Sequence, residues 1–155
     1  MADRQLTVKQ VILVRSDIGM PYGKAIAQGS HASMMFLTLV FQRLKNMSYF
    51  ERLKFAVSLT FKNSFEDLFT PHQWNWISGS FTKVVLEVKS EEQLQELYEK
   101  ALSLGLPTNI VLDSGKTHTK GVATYTCVAI GPCDPDLINQ VTGHLRPYLQ
   151  PERKK

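Results

Sequence analysis

The sequence has few of the residues that build disulfide or metal frameworks. Only two cysteines occur in 155 residues, Cys127 and Cys133, and they do not form a Cys-x-x-Cys pair. They read as free thiols in a reducing compartment. The four histidines, His31, His72, His118 and His144, are scattered without zinc spacing. No metal and no cofactor is therefore expected. The opening stretch MADRQLTVKQ has no apolar segment of the kind a secretory signal needs. Long hydrophobic runs are missing too, since Gln42, Arg43 and Lys45 break the longest apolar stretch of the first helical segment. No membrane span is expected, and the cytoplasm is the expected compartment. Internal repeats and low-complexity segments are also absent.

What is present is the composition of a folded domain. Hydrophobic residues make up 43% and charged residues 21%, which is globular rather than disordered. At 155 residues the expectation is one domain, 1–155, able to bury its own core. Lys and Arg number 18 against 14 Asp and Glu, a net charge of +4, with Arg153, Lys154 and Lys155 at the end. A modest positive balance favours anionic partners such as RNA without establishing one.

Val11 to Val14 reads as a buried strand, followed by a loop punctuated by Gly19, Pro21 and Gly23. A long helix starts near Tyr22 to Lys24, with Ala27, Ser30, Met34, Leu37, Phe41 and Leu44 as its packed face. Residues 46 to 80 fit no single period. A second helix is expected within 46–70, then an irregular connection through Pro71, Trp74, Trp76 and Gly79. Lys83 to Val88 reads as a strand, and Ser90 with Gln93 as a capping box for a helix through Leu94, Leu97, Ala101 and Leu102. Gly105 ends that helix. Thr108 to Leu112 is a third strand, with Asp113-Ser114-Gly115 as its turn. Thr124 to Ile130 is a fourth, terminated by Gly131-Pro132. Asp134 and Pro135 open a last helix containing Leu137, Ile138, Val141 and Leu145.

Strands separated by helices imply an α/β fold with a largely parallel sheet and helices on its faces. The third and fourth strands lack a crossover helix, so one pair should be antiparallel and the sheet mixed. Ligands gather beyond the carboxyl ends of parallel strands, where Asp17 to Lys24 and Asp113 to Thr117 should lie.

Lys24, Gln28 and His31 share a narrow arc of the first helix at about 100° per residue. A lysine near a helix N-terminus opposes the dipole, by about 0.3–1 kcal/mol, and makes more sense with a carboxylate nearby. Asp113 is a candidate, although a plain Asx-turn explains it equally well. Thr117 and Thr126 flank a loop and can offer hydroxyls to the same crevice, or serve as ordinary turn and strand threonines. An Asp–Lys pair with hydroxyl donors suits ester hydrolysis without a metal.

Four blocks carry a family resemblance: KQVILVRSDIGMPYGKAIAQGSHAS (9–33), WISGSFTKVVLEVKSEEQL (76–94), LPTNIVLDSGKTHTKGVATYTCVAIGP (106–132) and LINQVTGHLRPY (137–148). Together they resemble the second type of peptidyl-tRNA hydrolase across a core of about 9–149. The resemblance implies a three-layer α/β/α domain with a mixed four-stranded sheet, commonly a homodimer, acting on peptidyl-tRNA. It maps the lysine of the family's Gly-Lys pair onto Lys24, the helix glutamine onto Gln28 and the histidine of its His-Ala pair onto His31. The Asp-x-Gly-x-Thr pattern falls on Asp113 and Thr117. A strand threonine falls on Thr126, with Thr124 as its rival. On this reading Asp113 orients or activates water and Lys24 holds Asp113 ionised and steadies the oxyanion. Thr117 and Thr126 place the water or the ester carbonyl. His31 is a supporting residue or an acceptor-stem contact, and Lys116 and Lys120 meet tRNA phosphates. Tyr22 departs from the family, many members having a basic residue there, and 46–75 is longer than in compact members. These departures motivate the alternative of a non-catalytic RNA-binding or protein-interaction module on the same fold. A third option is hydrolysis of a related ester such as D-aminoacyl-tRNA.

Overall fold

The structure, a computed structural model, describes residues 7–61, 68–116 and 121–148, with side chains 58–61 left aside. In chain order the elements are β1 (Lys9–Arg15), α1 (Tyr22–Asn46), α2 (Tyr49–Phe61), α3 (Pro71–Ser78), β2 (Lys83–Val88), α4 (Glu91–Ser103), β3 (Thr108–Asp113), β4 (Thr124–Cys133) and α5 (Pro135–Thr142). The sheet order is β2-β1-β4-β3. β1 pairs parallel with β2 and antiparallel with β4, which is also antiparallel to β3.

The sheet is thus mixed and four-stranded, but not largely parallel. The cause is topological. β4 returns from β3 without a crossover and inserts between β1 and β3, which run the same way. It must oppose both, so one return connection creates two antiparallel pairs.

Strand alternation sorts the core into layers. Val11 and Leu13 face α4 and α5, packing with Leu94, Leu97, Ala101, Ile138 and Val141. Ile12 and Val14 face the other way, with Ala25 and Ala32 of α1. Phe36 of α1 and Trp76 of α3 extend that second layer. The result is the expected three-layer α/β/α arrangement. Coverage on both faces explains why β1 reads as an unbroken apolar run.

Three local expectations need correcting. The packed face of α1 is Ala25, Gln28, Gly29, Ala32, Ser33 and Phe36, whereas Ala27, Ser30, Met34 and Phe41 are exposed. α1 lies close on the sheet, with a Cβ on Gly29 only 3.7 Å from Ile12 Cγ2. Small residues therefore make its contact face, and a search for large apolar side chains finds the wrong phase. The region expected to be irregular contains α3, capped by a full Thr70–Gln73 capping box with Pro71 at its start. β4 continues through Gly131-Pro132 to Cys133, because Gly131 adopts φ 91° where a Cβ would meet Lys9 O at 2.8 Å. This is a bulge, and pairing resumes at Cys133 with Lys9.

At the chain's other end α5 stops at Thr142, so Leu145 packs on the core from beyond the helix. Arg146 O and Tyr148 N bond β2 at Glu87 N and Val85 O, covering its outer edge. Among the described residues no helix is long and apolar enough to cross a membrane.

Candidate active site

β1, β2 and β3 run in one direction, so their carboxyl ends share one edge of the sheet with the start of β4. Asp113 ends β3 at that edge. Lys24 and Gln28 stand one turn apart at the beginning of α1, and Thr126 is the third residue of β4.

These four side chains meet. Lys24 Nζ lies 3.3 Å from Asp113 Oδ1, with side chains 14% and 12% exposed. Gln28 Nε2 donates to Asp113 Oδ2 at 2.5 Å. The Gly115 backbone N–H donates to Oδ1 at 2.7 Å, and the Thr126 hydroxyl donates to Gln28 Oε1 at 3.0 Å. The Asx-turn and the Lys–Asp pair, weighed above as rival explanations of Asp113, coexist in one carboxylate.

The electrostatics follow from this geometry. The Gly115 N–H foremost, then Lys24 and Gln28, hold the Asp113 carboxyl below its ordinary value, against the opposing pull of burial. Lys24 alone does not keep Asp113 ionised as expected, since the Gly115 backbone donor contributes more. Lys24 is well placed in return. α1 has no acidic residue in its first turn and no side-chain cap, so Asp113 supplies the negative charge that the helix N-terminus favours.

Thr126 reaches α1 through a second bulge. Val111 pairs with Cys127 and Leu112 with Tyr125, leaving Thr126 as the extra residue. A bulge interrupts alternation and re-aims a side chain. Tyr125 accordingly packs with the α4 layer while Cys127 packs with the α1 layer. Thr126 is 1% exposed and its hydroxyl is committed to Gln28. The same hydroxyl also lies 3.5 Å from the Val111 carbonyl.

The other candidates lie elsewhere. Thr124 joins a separate cluster, accepting from Arg15 Nη1 at 3.0 Å and donating to Glu91 Oε2 at 2.7 Å. His31 is exposed two turns along α1, and no hydrogen bond to the Asp113 cluster is found among the described residues. Lys116 is exposed beyond β3. Thr117 and Lys120 lie outside the described residues. Sequence reasoning missed the Arg15–Asp17–Glu91 cluster. The signals were an Arg-x-Asp spacing at the end of a buried strand and an acid in the first turn after the Ser90 cap.

The arrangement offers a fixed ammonium beside a carboxylate with both oxygens bonded. It can stabilise negative charge developing on a carbonyl oxygen and orient a water molecule. Among the described residues no group of three or more potential metal ligands occurs.

A family model described as Peptidyl-tRNA hydrolase PTH2 matches residues 8–148. The peptidyl-tRNA hydrolase of Sulfurisphaera tokodaii is 33% identical over 141 residues, covering 91% of this chain and 98% of that protein. That of Methanocaldococcus jannaschii is 33% identical over 139 residues, covering 90% and 98%. That of Aeropyrum pernix is 36% identical over 140 residues, covering 89% and 94%.

Proposed function

The chain belongs to the peptidyl-tRNA hydrolase PTH2 family, and from that premise we propose that Lys24, Gln28 and Asp113 form the centre of its reaction. It is an enzyme that hydrolyses the ester bond of peptidyl-tRNA, releasing peptide and free tRNA. Nothing in the comparisons supports the non-catalytic alternative. Tyr22, one of the two departures that motivated it, lines an apolar groove with Ile12, Val14 and Val85, on the flank of α1 away from β3.

The observation that carries the proposal is the Lys24–Asp113 contact at 3.3 Å, locked from the other side by Gln28. Water adds to the ester carbonyl carbon and the bond to the ribose 3′ oxygen breaks. The proton released by water ends on that oxygen. Lys24 steadies the oxyanion of the tetrahedral intermediate. Asp113, held below its ordinary value, is too weak a base to remove a proton alone and instead accepts a hydrogen bond that orients the water. Gln28 fixes the carboxylate plane, and Thr126 fixes Gln28.

The remaining candidates keep their proposed parts: Thr117 acts on the reacting ester, His31 meets the acceptor stem, and Lys116 and Lys120 meet tRNA phosphates. Phosphate contacts make affinity fall as salt rises. The chain works as one domain, 1–155, and as a cytoplasmic homodimer. The exposed apolar side chains Ile26, Phe41, Phe50 and Leu53 support a protein neighbour, and sedimentation of the purified chain tests that.

The test of the centre compares peptide release from peptidyl-tRNA by the native chain, Lys24→Ala and Asp113→Ala. Native turnover with both variants slowed at least about a hundredfold is expected, as for loss of one preorganised electrostatic group. Full rate in both variants removes the proposal. Full rate in Asp113→Ala alone removes its role on water.

A further inference from the structure

Arg15 ends β1, and its side chain is only 8% exposed. Nε and Nη2 grip both oxygens of Asp17, at 3.0 and 2.6 Å. Nη1 reaches Glu91 Oε2 at 2.5 Å, Thr124 Oγ1 at 3.0 Å and the Tyr125 carbonyl at 3.0 Å. Thr124 closes the cluster by donating to Glu91. One guanidinium thereby ties together the end of β1, the loop toward α1, the first turn of α4 and the start of β4.

The Tyr125 contact matters most. Tyr125 precedes Thr126, the extra residue of the bulge. A bulge leaves part of the strand ladder unmade, and here the Arg15 guanidinium is a donor to the adjoining backbone carbonyl. Within the bulge, the Thr126 hydroxyl holds Gln28, and Gln28 holds Asp113. On the other branch Asp17 begins the loop that leads to Lys24. Lysine cannot reproduce this fork, since it lacks the planar set of five donors.

We propose that Arg15 is a positioning residue for hydrolysis: it clamps the β4 bulge through the Tyr125 carbonyl, so that Thr126 presents its hydroxyl to Gln28 and Gln28 sets Asp113. This inference rests on the reading of Asp113 and Gln28 as the reactive centre. It differs from a structural brace in its route, because the effect on rate must pass through Thr126.

The experiment measures kcat and KM for peptidyl-tRNA hydrolysis by Arg15→Lys, Thr126→Val and the double variant, at a temperature where each is folded by its melting curve. Each single variant is expected to lower kcat at least about tenfold with KM held within about twofold. The double variant should be no slower than the slower single one, because both break one chain of contacts. A double variant whose loss equals the product of the two single losses overturns the proposal, as does native kcat in either single variant. Should Arg15→Lys not fold, Glu91→Gln weakens the same clamp while Ser90 still caps α4, and the same comparison decides. Lys24→Ala and Asp113→Ala are assayed alongside. If they are slow while the Arg15 and Thr126 losses multiply, the centre stands and only the role of Arg15 falls. If both keep full rate, the centre falls and takes this inference with it.

Discussion

Gln28→Glu is the most discriminating change in the proposed centre, because it alters one atom pair while keeping shape. Gln28 Nε2 donates to Asp113 Oδ2 at 2.5 Å, so the substitution sets a second carboxyl against the first. With both ionised about 3 Å apart, the repulsion is about 5 kcal/mol at an effective dielectric of about 20. Lys24 and the nearby solvent offset part of this, leaving about 3 kcal/mol, or about two powers of ten in the protonation equilibrium. The Gly115 N–H and Lys24 favour the ionised form at Asp113, so the shared proton resides on the introduced carboxyl, whose pKa is raised. Below that raised value its O–H donates to Asp113 much as the Gln28 amide does. Above it, two carboxylates repel and the centre opens. Single-turnover hydrolysis followed from about pH 5 to pH 8 should therefore show Gln28→Glu near the native rate at the acid end. It should then fall by up to about tenfold per pH unit once the carboxyl ionises. The native chain should show no such fall, and Gln28→Leu should be slow throughout. A Gln28→Glu profile parallel to the native one would refute the idea that Gln28 serves Asp113 by donating a hydrogen bond to it.

Three further outcomes follow from the same structure. The Asp113 carboxyl lies below its ordinary 3.8 in the folded chain, so its stabilisation is present above that value and is lost as pH falls through the folded one; melting curves of the native chain and Asp113→Asn should accordingly converge in acid. Gly29→Ala should stabilise by about 0.5–1 kcal/mol, raising Tm by about 1–4 °C, since a Cβ there meets Ile12 Cγ2 at an ordinary 3.7 Å; a lower Tm would show that α1 cannot accept even a methyl group against β1. Burial pushes the Cys127 thiol up to about 12 and the Cys133 thiol up to about 11, so neither should react with iodoacetamide at pH 8 before unfolding, as mass spectrometry would show.

Much of this molecule was legible in its sequence because local signals and chemistry agreed. Ser90 does cap α4, although the Gln93 side chain turns to Lys89 N rather than completing a capping box. The Lys24 placement asked for a carboxylate, and Asp113 comes to it across the sheet. What stayed illegible depends on non-local geometry. The contact face of α1 could not be phased because closeness to β1 selects Ala25, Gly29 and Ala32 over larger neighbours. The choice between Thr124 and Thr126 turns on one bulge residue, and a pattern of period two has no means of showing where it slips. Arg15 looked like the end of a strand because its partners, Glu91 and Tyr125, lie 76 and 110 residues away.

The reaction centre is fixed by where the ester sits. A structure of the chain bound to a tRNA acceptor-stem analogue, its peptide joined to the 3′ carbon by an uncleavable amide, tests this most directly. The account predicts that the carbonyl oxygen lies within about 3 Å of Lys24 Nζ, with Asp113 in reach directly or through one water. A carbonyl seated on the opposite flank of α1, in the groove lined by Tyr22 and Val85, would contradict it.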